Sequence, residues 1–309
     1  MPELAEVEFF RKRWALAATG ERIVRVLTHD RKRLLRGLNL PRFRRALTGA
    51  TLEFSEARAK QMLFRFRGGV LPEEIRRWLG IHLGMSGELF VEQPDYAPGK
   101  HDHLVFLTAK PGLSGVESHA LVFKDPRMFG VVEFHLGAEP PRWWTKIAPS
   151  ILSPEFTEEA VAGFLNRRAR APIKAVLLMQ ERFPGVGNWM ADEILWRAAI
   201  HPARKAGSVR PTEVRALWRE CRRVCRQALA TIAGRGDCLP PDLNAHIPRS
   251  WLFWHRWEDG GRCPKTKKPL ARATIGGRTT CWSPVRQKLA GPALLAAPRH
   301  ADKRRPDNK

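Results

Sequence analysis

The spacing of apolar residues changes period partway along this chain, and that change limits the possible folds more than any other feature. Before about residue 157 the apolar segments are short and separated by turn residues, at 22–29, 51–54, 61–66, 103–108, 119–124 and 131–135. They read as strands of an antiparallel β-rich domain. A helix over residues 2–16 precedes them. From Thr157 onward the spacing is helical, with Val161, Phe164 and Leu165 in one helix, residues 173–179 in another and 190–196 in a third. A fourth helix opens at Pro211 and carries Val214, Leu217, Trp218, Cys221, Val224, Cys225, Leu229 and Ile232 at three- and four-residue spacing, most of them core positions. Residues 234–249, rich in Gly, Pro and Asp, read as a long loop, and loops of that length are often functional. Residues 251–257 are dense in aromatics, and Gly276-Gly277 signals a tight turn between two short strands. The Pro, Ala and basic residues of 291–309 predict a disordered tail.

Charge narrows the partner. The 309 residues carry 54 Lys and Arg against 31 Asp and Glu, a net +23 spread along the whole chain. Such a surface suits a polyanion, and nucleic acid is the expected partner. The alternative, an anionic membrane, finds no support in a basic amphipathic anchor, a lipidation motif, a signal peptide or a run of about 18 apolar residues. An intracellular location is expected. Five cysteines, Cys221, Cys225, Cys238, Cys263 and Cys281, are an odd number in a large chain and argue against a disulfide framework.

The chain begins Met1-Pro2-Glu3-Leu4-Ala5-Glu6. Removal of Met1 leaves Pro2 with a free secondary amine beside two carboxylates. An α-amino group has a reference pKa of roughly 8 against roughly 10.4 for lysine, so more of it is neutral near pH 7. Attack on a sugar C1′ gives an iminium, an electron sink that needs no further protonation. Taken alone, proline followed by glutamates is also an ordinary helix start.

Four further segments bear on the choice: Ala59-Lys60, His82-Leu83-Gly84-Met85-Ser86-Gly87, Asp125-Pro126-Arg127-Met128-Phe129-Gly130 and Pro184-Gly185-Val186-Gly187-Asn188. With these in order behind the N-terminus, the chain resembles the formamidopyrimidine-DNA glycosylase/endonuclease VIII family, and its start is more similar to the formamidopyrimidine branch. The resemblance runs from Pro2 to about Gln287. It implies an α+β fold: an N-terminal helix with an antiparallel β-sandwich (2–145), a helical domain with a helix–two-turn–helix (151–250) and a finger hairpin (251–290). It also implies a monomer acting on damaged double-stranded DNA.

Site roles follow from the same resemblance. Pro2 is the implied nucleophile, Glu3 the general acid, Glu6 an orienting carboxylate, and Lys60 a phosphate contact that moves a proton during β-elimination. A flipped-out nucleotide leaves a hole in the duplex, and Met85, Arg127 and Phe129 match the residues that fill it. His82, His101, Asn188, Lys174 and Arg170 match phosphate contacts. Many family members close with a four-cysteine zinc finger. Setting Arg278 and Gln287 on the finger's arginine and glutamine puts the ligand positions on Cys263, Thr266, Ser283 and Arg286. One thiolate in that set does not make a structural zinc site, so a zinc-free finger is expected, with no cofactor and with Arg278 as the lesion-side clamp. The implied activity is a bifunctional glycosylase and AP lyase acting on oxidised purines. Preference for oxidised pyrimidines or hydantoins, and a non-catalytic damaged-DNA-binding protein, are the alternatives.

Overall fold

A computed structural model describes residues 2–29, 33–35, 37–72, 74–112 and 117–289, so the tail expected over 291–309 lies outside the described residues. The first helix, α1 (Leu4–Ala18), buries Ala5, Val7, Phe9, Phe10, Trp14 and Ala18. Eight strands follow: β1 (Arg22–Thr28), β2 (Ala50–Arg58), β3 (Gln61–Gly68), β4 (Arg76–His82), β5 (Glu88–Glu92), β6 (Asp102–Ala109), β7 (Glu117–Lys124) and β8 (Val131–Gly137). They form one antiparallel sheet in the order β5-β7-β6-β1-β2-β3-β4-β8. At its middle, β1 and β2 share a single rung, Arg22 with Thr51. The sheet therefore divides into two four-stranded leaves that close on each other as a sandwich.

The core between the leaves is aromatic. Trp14 of α1 lies 5.3 Å from Phe64 of β3 and 5.8 Å from Phe106 of β6, and Phe66 lies 6.1 Å from Phe106. The Trp14 indole N–H donates to the Phe90 carbonyl at 2.8 Å, so the helix is pinned to β5 as well as packed on the core. Such rings bury large apolar areas and lock one another's orientation. Strands β4 and β5 and the helix α2 (Leu40–Leu47) are additions to the elements expected from periodicity. In β4, five consecutive residues are buried, so no alternation marks it, and its Arg77 is fully buried with the guanidinium donating to the carbonyls of Ala46, Ile75 and Leu71.

The second half is helical: α3 (Arg142–Thr145), α4 (Glu158–Arg167), α5 (Ile173–Leu177), α6 (Asn188–Arg197) and α7 (Pro211–Ile232). Thr157 caps α4 by accepting from the Ala160 N–H. Along α7 the expected stripe is buried, with Val214, Leu217, Cys221, Val224, Cys225 and Ile232 inside and Trp218 and Leu229 packed against the core. The two halves meet along α1. Its Lys12 ammonium donates to the carbonyls of Ala233, Gly234 and Gly236, which end α7 and begin the long loop.

A hairpin of β9 (Ala271–Ile275) and β10 (Arg278–Trp282) turns at Gly276-Gly277 and is the last of the described elements. It is fastened from beneath by a buried carboxylate. Asp192 of α6 takes the Lys174 ammonium on Oδ1, and on Oδ2 the Arg256 guanidinium and the Cys281 backbone N–H at 3.0 Å. All three side chains are buried. Removing the anion from two buried cations costs about 3–5 kcal/mol. Asp192→Ala should lower unfolding free energy by about that much, and limited proteolysis should then cut first within 256–282. Equal protection of the hairpin in the variant and the parent would contradict this role for Asp192.

Candidate active site and nucleic-acid interface

Pro2 precedes α1 and is partly exposed, whereas Glu3 is only 2% exposed. The Glu3 carboxylate sits on the start of α6: Oε2 accepts from the N–H groups of Gly187 (2.8 Å) and Met190 (3.1 Å), and Oε1 from that of Trp189 (2.8 Å). A helix N-terminus offers unpaired N–H groups and partial positive charge, so an acidic side chain from the other half of the chain fits there. The approach is so close that a Cβ on Gly187 would come within 2.3 Å of the Glu3 carboxyl carbon. That contact is the physical reason for glycine immediately before Asn188.

Glu6 lies one turn along α1. Its Oε2 accepts from the Glu3 N–H at 3.1 Å and its Oε1 from the Trp189 indole N–H at 2.8 Å. Burial raises the pKa of both carboxyls. For Glu3, burial and the charge of Glu6 outweigh Lys60 and the backbone donors and carry it up to about 7. Lys60, 8% exposed in the turn between β2 and β3, is pushed down by burial and by Arg278 and held up by Glu3 and Glu6. Arg278 itself begins β10 and is exposed. Glu3, Glu6, Lys60 and Arg278, drawn from three distant parts of the sequence, thus share one electrostatic environment.

On the sandwich side of the cleft two loops carry the expected wedge. Met85 is 36% exposed and Phe129 54%, and the Arg127 guanidinium lies over the Phe129 ring at 5.2 Å. Exposed apolar side chains at loop tips cost little there and are available to enter a duplex. Buried Asp125 ties the loops together: Ser86 Oγ and the Arg127 N–H donate to its Oδ1 and the Gly130 N–H to its Oδ2. Gly84, at φ +62°, lies so close to the Phe129-Gly130 peptide that an added Cβ would reach 2.3 Å from the Phe129 carbonyl carbon. His82, at the end of β4, accepts from the Gly84 N–H and has its pKa lowered by burial and by Lys60, which favours the neutral ring. His101 precedes β6, and its carbonyl accepts from the Asp125 N–H.

On the helical side, Asn188 donates from Nδ2 to the Thr279 carbonyl at 2.9 Å, linking the start of α6 to the hairpin. Arg170 is exposed. Lys174 departs from the expected phosphate contact. It is fully buried, with its ammonium on Asp192 and on the Asn188 carbonyl at 2.6 Å, so it holds α6 and cannot meet a phosphate from that position. Sequence reading missed Asp192, Arg256 and Trp189. A polar residue on the otherwise apolar face of α6 was the available sign of Asp192.

The residues at the finger's ligand positions do not fit zinc. Cys263 packs with Trp196, Leu252 and Cys281 in a small apolar cluster; its thiol accepts from the Trp196 indole N–H. The Ser283 N–H bonds to Gln287 Oε1, and Gln287 Nε2 donates to the Ile200 carbonyl. Arg286 brings a positive charge where a ligand would stand. Among the described residues no group of three or more His, Cys, Asp or Glu is placed to hold a metal ion. Nor is any described helix long and apolar enough to cross a membrane.

Residues 1–132 match the formamidopyrimidine-DNA glycosylase N-terminal domain and residues 147–236 the formamidopyrimidine-DNA glycosylase H2TH domain. The formamidopyrimidine-DNA glycosylase of Roseiflexus sp. (strain RS-1) is 33% identical over 303 residues, covering 93% of this chain and 100% of the relative. The protein of the same name from Arabidopsis thaliana is 26% identical over 304 residues, covering 94% and 72%. In fold, the chain is similar to the Lactococcus lactis enzyme in its non-covalent complex with DNA containing an AP site, with a TM-score of 0.75 at 23% identity, covering 93% of this chain and 100% of that one. On the two domain matches and the full-length similarity to curated relatives, this chain belongs to the formamidopyrimidine-DNA glycosylase family.

Proposed function

We propose that the protein is a bifunctional DNA glycosylase and AP lyase that removes oxidised purines from duplex DNA. The observation that carries the reading is buried Glu3 paired with Glu6 beside Pro2, with Lys60 and Arg278 in the same field. The Pro2 nitrogen lone pair forms a bond to C1′ while the base leaves with the electrons of the glycosidic bond and takes the proton that the amine gives up. Glu3 gives its proton to the ring oxygen, the sugar opens, and an iminium remains on Pro2. Loss of a C2′ proton expels the 3′ phosphate, a second elimination expels the 5′ phosphate, and water releases the sugar fragment from Pro2. Lys60 is suited to move the first of these protons and Arg278 to hold phosphate. No step needs a metal.

The remaining groups serve base flipping. Phe129 and Met85 are apolar and exposed, as a wedge must be, and Arg127 offers donors to the opposite base, most naturally cytosine. Oxidised purines are the preferred class because the named relatives are formamidopyrimidine-DNA glycosylases. DNA is the polyanion that the +23 net charge suits.

Borohydride reduction should trap the parent protein on abasic DNA and on 8-oxoguanine:C DNA, and Pro2→Gly should trap far less. Absence of any parent adduct would falsify the Schiff-base mechanism, and faster excision of thymine glycol than of 8-oxoguanine would reverse the substrate assignment. Glu3 works as an acid only while protonated, and its carboxyl titrates at about 7. Single-turnover excision should therefore decline as pH rises through that value. Glu3→Gln should slow excision by about 10²–10⁴-fold on the acid side of that limb and abolish the limb itself, with trapping on a ready-made abasic site much less affected. Gly84→Ala forces the wedge loops apart, and displacement of that kind costs on the order of 10–100-fold in excision. Fluorescence of 2-aminopurine opposite the lesion would report whether the void is still filled.

A further inference from the structure

Trp189 touches both carboxyls of the site by two different groups. Its backbone N–H donates to Glu3 Oε1 and its indole N–H to Glu6 Oε1, each at 2.8 Å. The ring is buried and cannot swing away: it stacks on Trp251 at 6.3 Å with 29° between planes and meets the edge of Phe253 at 5.2 Å. An indole N–H can only donate, so the oxygen it faces must accept. A donor fixed on a carboxylate favours the ionised form of that group.

The two carboxyls cannot easily both be charged so close together. Glu3 is the more deeply buried, and its three donors are backbone amides of the α6 start, fixed whatever its protonation state. Glu6 is partly exposed, and its donors are the Glu3 N–H and the indole. Other ionisable groups facing the pair are Lys60 from the β2–β3 turn with Arg278 behind it, Lys174 from α5 and the buried Cys225 thiol of α7. All are common to both carboxyls or act on Glu3. Glu6 itself faces the N-terminal amine, the Glu3 N–H and the indole N–H, and of these three the indole is the one contributed by a side chain of α6.

We propose that Trp189 is a positioning residue whose indole N–H holds Glu6 as the ionised member of the pair and so keeps the shared proton on Glu3. This rests on Glu3 being the general acid, as proposed above. Loss of the indole N–H raises the affinity of Glu6 for a proton. The proton then moves toward Glu6, and Glu3 is ionised at lower pH than in the parent. The basic limb of excision must shift downward.

Trp189→Phe keeps the ring and its stacking and removes only the N–H. Single-turnover excision of 8-oxoguanine opposite cytosine, followed from about pH 6 to pH 9, should show the basic limb about one unit lower. That is about a tenfold loss above the limb, with rates at the acid end within about twofold of the parent. Borohydride trapping on a ready-made abasic site, where the glycosidic bond is already gone, should stay within about twofold at all pH values. In a Glu6→Gln background, Trp189→Phe should move the limb no further, because the two act on one proton. An unshifted limb overturns the proposal, as does a loss of excision and trapping together at every pH, which would make the indole a packing group only. A further shift in the Glu6→Gln background overturns it too. Failure of the parent itself to form a trapped adduct is a different result: it removes the Schiff-base reading, and the role of Trp189 with it.

Discussion

The seating of the Glu3 carboxylate on the first N–H groups of α6 is the interaction on which the rest of the arrangement depends. It joins the two halves of the chain at the candidate site and not at a remote interface. An acid from the sandwich half satisfies the unpaired donors of a helix in the other half, and each would be costly to bury without the other. Because Glu3 is next to Pro2, closing this contact also sets where Pro2 lies relative to Asn188 and the hairpin. Glycine at 187 is the steric condition for it.

A second carboxylate, Asp192, stands one helical turn beyond Asn188 and does for the hairpin what Glu3 does for Pro2. It gathers Lys174, Arg256 and the Cys281 N–H, so α5, α6, the short turn Leu252–His255 and β10 converge on one point. Charged groups buried this deeply stabilise only as a complete set, which makes their mutual placement specific. The apolar cluster around Cys263 and the bonds of Gln287 complete the fastening with side chains that cannot assemble a metal site.

How much of this could be read from the sequence varied with the range of the forces involved. α7 was legible because its stripe is local and its Pro211 start is a backbone property. The hairpin was legible from two adjacent glycines. β4 was not, since burial on both faces erases alternation and Arg77, an apparent surface residue, is satisfied by the carbonyls of Ile75 and Leu71 nearby and of Ala46 far off in sequence. The site divided in the same way. Pro2, Glu3, Lys60 and Arg278 were reachable through motifs resembling a known family, and periodicity alone would have left Lys60 an ordinary strand lysine. Lys174 was misread because its partner, Asp192, lies a helix away, and nothing local distinguishes a lysine bound for phosphate from one bound for a buried acid. Trp189 was passed over because an indole in an apolar helix looks like packing.

The grip of Lys12 on the carbonyls of Ala233, Gly234 and Gly236 has a consequence for how such a protein can diversify. The root of the long loop is anchored to the same helix that carries Glu3 and Glu6, with three hydrogen bonds that use only backbone oxygen. Within 237–249, Ile247 is buried in the core and Leu239 and Leu243 pack against it, whereas Ala245 and His246 are exposed and carry no such tie. Selection can therefore rewrite such exposed positions without disturbing the Lys12 anchor or the helix that carries Glu3 and Glu6. A fixed helix start and a variable loop surface are separable inheritances in this fold, and one lysine marks the seam between them.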